Sequence, residues 1–213
     1  MPRLGTRAAM IELQLITGMR SGELVIMRTA DIDRGGPVWV YTPTRHKTQH
    51  HGHERIVYLG RRAQAILTLF LKLDPIAYLF SPAEVAHERR EAAATRRMTP
   101  LNCGNRAGTN RKGQPKRAPG ASYTDATYAR AVARACDKAF PPACDLAAQE
   151  LKAWQKAHRF HPHQLRHAAA TQFRRDYKLE TARALLGQKS MDAAEIYAEM
   201  DMDKAREAMR AIG

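Results

Sequence analysis

Apolar residues recur at helical spacing over 7–16, and Gly18 ends the run. Ser21, a good N-cap, then opens a second helical segment through Glu23, Leu24, Val25, Ile26 and Met27. Arg20 therefore falls on a tight turn between two helices. Two strand-like runs, Val38-Trp39-Val40-Tyr41 and Arg55-Ile56-Val57-Tyr58-Leu59, flank a polar stretch over 46–53. They predict a small antiparallel sheet with a long hairpin that carries Lys47. Residues 63–73 read as an amphipathic helix and 83–97 as a highly charged, solvated one. Helices resume over 123–138 and 146–158, and again over 168–175, 180–186, 191–197 and 203–211. No internal repeat is evident. The pattern predicts a mainly α fold with a small antiparallel β-sheet, an α+β class.

A chain of 213 residues can bury one good core, so a single domain over 1–213 is expected. Hydrophobic residues at 44% and charged residues at 26% are ordinary for a globular protein and argue against global disorder. Lys+Arg number 35 against 21 Asp+Glu, a formal charge of +14. That excess points to a polyanionic partner, with nucleic acid the best fit. An anionic membrane surface or ribosomal RNA satisfies the same arithmetic, so charge alone says nothing about chemistry.

No apolar run approaches the roughly 20 residues of a membrane helix, and the first residues form no secretory segment, so a cytoplasmic location without membrane attachment is expected. Cys103, Cys136 and Cys144 lack CxxC spacing, which supports neither a disulfide framework nor a zinc site. There is no P-loop, and His50, His51 and His53 read as solvated hairpin residues. No metal or cofactor is expected.

From Arg96 to Thr124 there is no acidic residue. Arg96, Arg97, Arg106, Arg111, Lys112, Lys116 and Arg117 lie there among Gly, Pro and Asn. The stretch over about 96–122 reads either as a solvated, poorly ordered insertion or as an arm that contacts DNA phosphates. Farther on, Pro162 suits the first turn of a helix, so His163, Arg166 and His167 would share one face near its N-terminus. Free backbone N–H groups and the helix dipole favour anions there, which makes a phosphate cradle; a solvated basic face is the alternative.

Thr17-Gly18-Met19-Arg20-Ser21-Gly22-Glu23-Leu24 resembles the first-arginine motif of the tyrosine recombinases, the phage-integrase family. His163-Gln164-Leu165-Arg166-His167 resembles the family's HxxR box, and Leu185-Leu186-Gly187 followed by Ala194-Glu195-Ile196-Tyr197 resembles its C-terminal box. Each motif alone is weak, but their order and spacing agree across nearly the whole chain. The resemblance implies a catalytic domain that breaks and rejoins double-stranded DNA through a 3′-phosphotyrosyl link to Tyr197. It also implies that Arg20 and Arg166 grip the scissile phosphate and that Lys47, followed by Thr48, is the hairpin lysine that protonates the leaving oxygen. His163 would help to remove the phenolic proton. Glu23 would orient the Arg20 turn, or serve only as a helix N-terminal charge, and His167 would support the site from behind.

Two departures stand out. After Leu185-Leu186-Gly187 the family usually places His or Trp, whereas this chain has Gln188, which donates a hydrogen bond but cannot titrate. The family's N-terminal clamp domain is expected to be absent, because the first-arginine motif begins soon after Met1. A helix over about 202–211 is expected either to pack on its own domain or to mediate self-association on DNA by exchange with a neighbour. Other readings are a type IB topoisomerase-like nicking and closing enzyme, a weakly active DNA-binding accessory protein on the same fold, and a basic RNA-binding protein.

Overall fold

The computed structural model describes residues 5–45, 55–98, 100, 103, 118–142, 146–177, 179–187 and 202–212. Helix α1 (Thr6–Thr17) buries Ala9, Met10, Leu13 and Ile16 along one stripe. Two polar residues on that stripe are satisfied locally. Thr17 donates to the Leu13 carbonyl, while Gln14 donates to the Met19 carbonyl and accepts from the Tyr128 hydroxyl. The helix stops at Gly18, whose φ of 64° is left-handed and whose N–H returns to the Gln14 carbonyl. A Cβ there would fall 2.7 Å from Leu186, so a glycine is needed for space as well as for conformation.

Helix α2 (Ser21–Val25) begins one residue earlier than the sequence suggests: the N-cap is Arg20, not Ser21. Glu23, the third helical residue, ties down that start, because its Oε2 accepts the Arg20 backbone N–H at 2.9 Å, the reciprocal half of a capping box. The sheet contains β1 (Ile32–Asp33), β2 (Trp39–Tyr41) and β3 (Val57–Leu59), antiparallel in the order β1-β2-β3. Trp39 faces Leu59 and Tyr41 faces Val57, so the two strand-like runs do pair. The two-residue β1 is too short to leave a periodic signal.

Helix α3 (Arg61–Thr68) is shorter than the expected 63–73. Its end tightens as Leu69 and Phe70 donate to the Ile66 and Leu67 carbonyls, and the Phe70 ring meets Phe80 at 5.2 Å. Leu73 is left fully exposed just before Asp74-Pro75, a pair that favours extended backbone over helix. Helix α4 (Pro82–Thr95), capped by Ser81, buries none of its residues, as its charge pattern suggests. Thr124 caps α5 (Asp125–Ala139), which buries Tyr128, Val132 and Cys136 at four-residue intervals. Helix α6 (Ala148–His158) is attached through Arg159, whose guanidinium forks onto Asp137 at 2.7 Å.

Helix α7 (Pro162–Asp176) is one continuous element with Pro162 in its first turn. It is followed by α8 (Leu179–Leu186) and α9 (Met202–Ile212). The helix expected over 191–197 lies outside the described residues. The larger buried cluster joins α1, α2, α3, α5 and the sheet, and a smaller one joins α7, α8 and α9 to Val38 and Tyr58. Helix α1 packs along α7 between them. Helix α9 lies on α8, β3 and α3 of its own chain, with Ala208 and Met209 buried and Arg206 above the Tyr58 ring at 5.8 Å. Among the described residues, no helix is long and apolar enough to cross a membrane.

Candidate active site

The turn between α1 and α2 presents Arg20, with its side chain about a quarter exposed. The Glu23 carboxylate, almost fully buried, fixes that turn twice: Oε2 accepts from the Arg20 backbone and Oε1 from its guanidinium, both at 2.9 Å. The buried Tyr41 hydroxyl donates to the Glu23 carbonyl at 2.6 Å, which ties the sheet to the same turn. Burial pushes the Tyr41 phenol far above its usual range, so it has no access to the phenolate form.

Arg166 comes from the first turns of α7 and is buried. Its Nη1 donates to the Gly18 carbonyl and its Nη2 to the Leu186 carbonyl at 2.7 Å. A single guanidinium therefore joins the α1–α2 turn to the end of α8. His163 and His167 project from α7 on its exposed side, with rings edge to face at a centroid distance of 4.3 Å. Arg166 is buried and the two imidazoles are exposed, yet His163 and Arg166 still border one cleft; of the expected shared face only His167 falls away from it.

Arg20, Arg166 and His163 meet at one cleft of about 770 Å³. Glu23, Arg45, Tyr78, Tyr123 and Asp125 also line it; His167 is not part of the lining. Arg96 closes α4 on the exposed surface, and Arg97 donates to the Cys103 carbonyl at 2.8 Å; neither lines the cleft. Lys47, Gln188, Tyr197, Arg106, Arg111, Lys112, Lys116 and Arg117 lie outside the described residues.

The sequence reading missed Arg55. Its side chain is only 4% exposed and lies behind Glu23, with Nε 3.3 Å from Oε1. The signal was present: Arg55 is in phase with Val57 and Leu59, both buried, so an arginine occupies an inward position. Such a residue needs a partner, and Glu23 provides it. Burial alone would raise the Glu23 pKa, but the charge of Arg55 and the hydrogen bonds from Arg20 outweigh it and hold the carboxyl below its ordinary value.

Two guanidinium groups therefore hold one carboxylate, and a third, that of Arg166, lies within reach of its charge. Burial, together with Arg20 and Arg55, pushes Arg166 down to about 10, while Glu23 opposes the shift. Even so, an arginine keeps its proton at neutral pH. The cluster of Arg20, Arg55, Arg166 and Glu23 carries an excess of two positive charges in a partly dehydrated place. Such a surplus is unfavourable in a dehydrated place, and an anion would relieve it. Among the described residues, no group of three or more His, Cys, Asp and Glu is placed to hold a metal ion.

No protein-family model matches the chain, and no curated protein matches it in sequence. Among solved structures, the chain is similar to the XerH site-specific recombinase bound to difH substrate in a pre-cleavage complex. The identity is 19%, 95% of this chain and 45% of that chain are covered, and the TM-score is 0.47. It is also similar to the palindromic difH post-cleavage complex, at 17% identity, 95% and 44% coverage and TM-score 0.44. A third is the Tn1549 transposon integrase with circular intermediate DNA, at 16% identity, 96% and 57% coverage and TM-score 0.41. These structural neighbours are tyrosine recombinases, and the chain spans about half their length.

Proposed function

We propose that the cleft binds a phosphodiester of double-stranded DNA and that the chain is the catalytic domain of a tyrosine recombinase. The observation that carries this reading is the convergence of Arg20, Arg166 and His163, from segments far apart in sequence, on one cleft with excess positive charge. A phosphodiester under attack gains negative charge on its nonbridging oxygens, and planar guanidinium donors held in advance stabilise that charge.

Tyr197, carried over from the motif resemblance, is the nucleophile. Its oxygen bonds to phosphorus, the bond from phosphorus to the 5′ oxygen breaks, and a 3′-phosphotyrosyl link remains. A phenol with an ordinary pKa of about 10 needs help to ionise at neutral pH. The cationic cluster favours phenolate, and His163 accepts the proton. Lys47 donates a proton to the departing 5′ oxygen. Gln188 donates a hydrogen bond to the phosphate, where the family usually has a His or Trp. A 5′-hydroxyl from a partner strand attacks the same phosphorus to reseal the DNA and release Tyr197. None of these steps requires a metal or nucleotide.

Arg96, Arg97 and the basic residues after them supply further phosphate contacts, which makes binding strongly salt-dependent. Exchange of two DNA partners needs more than one copy of the chain. If α9 mediates that assembly, it must leave its place on α3, α8 and β3.

The test is covalent trapping on a pool of duplexes with a randomised core and a nick beside each position, so that the short 5′-hydroxyl strand diffuses away after cleavage. A protein–DNA band that survives denaturation is expected. Retention of DNA without such a band would leave a binding protein with no chemistry.

A further inference from the structure

The chain beyond α8 must be placed accurately relative to Arg20 if both are to act on one phosphorus atom. The last carbonyls of a helix have no intrahelical partner and carry the negative end of its dipole. At the end of α8 two successive ones are held by arginines: Leu185 by Nη1 of Arg55 at 3.3 Å and Leu186 by Nη2 of Arg166 at 2.7 Å. Each arginine also reaches the α1–α2 turn, Arg166 through the Gly18 carbonyl and Arg55 through the Glu23 carboxylate. The two guanidinium groups form parallel braces between the same two segments.

We infer that Arg55 is a positioning residue, which sets the Arg20 turn against the end of α8 by spanning from Glu23 to the Leu185 carbonyl. This inference rests on the recombinase reading. Two details support it. Nη1 of Arg55 also donates to the carbonyl of the next residue, Ile56, at 2.8 Å, so the guanidinium plane is fixed at its root. A Cβ on Gly187 would come within 2.6 Å of Nη1, so the chain passes directly over the guanidinium.

A lysine at this position keeps the charge but has no planar fork, so it cannot hold Glu23 and the Leu185 carbonyl in fixed relation. The test compares wild type, Arg55→Lys and Arg55→Gln by thermal unfolding, by anisotropy with a fluorescent randomised duplex, and by single-turnover adduct formation. Arg55→Lys is expected to fold and to bind DNA within about threefold of wild type, while adduct formation falls by at least about tenfold, the kind of penalty that sub-ångström misplacement produces. Combining Arg55→Lys with Glu23→Gln should cost less than the product of the single losses.

Wild-type adduct formation by a stably folded Arg55→Lys overturns the inference, as does a loss of adduct matched by an equal loss of DNA binding. Should Arg55→Gln fail to fold, Arg55→Lys decides alone. A wild-type protein that forms no adduct overturns the recombinase reading, and the inference with it, before any variant is compared.

Discussion

A Cβ on Gly187 would lie 2.6 Å from Nη1 of Arg55 and 3.1 Å from its Cζ, so this glycine and this arginine constrain each other across the end of α8. The φ of Gly187 is 58°, a region that costs a side-chain-bearing residue about 1–2 kcal/mol, and the guanidinium is tethered too firmly to withdraw. Gly187→Ala should lower the melting temperature by roughly 2–8 °C from the backbone cost alone, given about 2–4 °C per kcal/mol for a chain of this size. Gly5→Ala is the control, because a Cβ added there meets no atom of the described residues within 4 Å. Calorimetry of the two variants checks this, and equal melting temperatures would refute the close approach.

Glu23 is the only carboxylate holding both Arg20 and Arg55 among the described residues. Glu23→Gln leaves a buried guanidinium without its counter-charge, a change that typically costs about 3–5 kcal/mol. The folded-state pKa of Glu23 lies below its ordinary 4.5, so the unfolded chain takes up the proton first as pH falls. Its contribution is therefore complete above 4.5 and is lost as pH falls through the lower, folded value. Urea unfolding at about pH 6 and about pH 3.5 should show the gap between wild type and Glu23→Gln narrowing in acid. A gap that does not change with pH would contradict this.

Arg166→Lys separates gripping a phosphate from filling space. Lysine provides one ammonium in place of a fork and cannot serve the Gly18 and Leu186 carbonyls while facing the cleft. Adduct formation should fall by about 10²-fold or more, comparable to the loss of a donor to a developing oxyanion. Single-turnover kinetics at saturating DNA measures the effect, and a rate near that of wild type would remove Arg166 from the phosphate site.

Much of the fold was legible because it rests on periodicity. The spacing of Ala9, Leu13 and Ile16 announces α1, and Val38 to Tyr41 with Arg55 to Leu59 announces the paired strands. Elements defined by tertiary contact left weaker traces: α3 stops early because Phe70 turns toward Phe80, and β1 exists only as an edge partner of β2. In the cleft, motif resemblance located Arg20, His163 and Arg166, which the structure brings together. Arg55 escaped notice because its importance is relational. A lone arginine in a strand-like run becomes informative only when Glu23 and the end of α8 are seen on either side of it.

The central claim is that these arginines serve a phenol bonding to phosphorus, and covalent trapping tests it most directly. Wild type and Tyr197→Phe are each incubated with the randomised nicked duplexes, separated under denaturing conditions, and any adduct is digested and mapped by mass spectrometry. The account predicts a wild-type adduct whose DNA is attached to the peptide containing Tyr197, and none from Tyr197→Phe. An adduct that persists in Tyr197→Phe, or no adduct from a wild-type protein that binds the DNA, would contradict it.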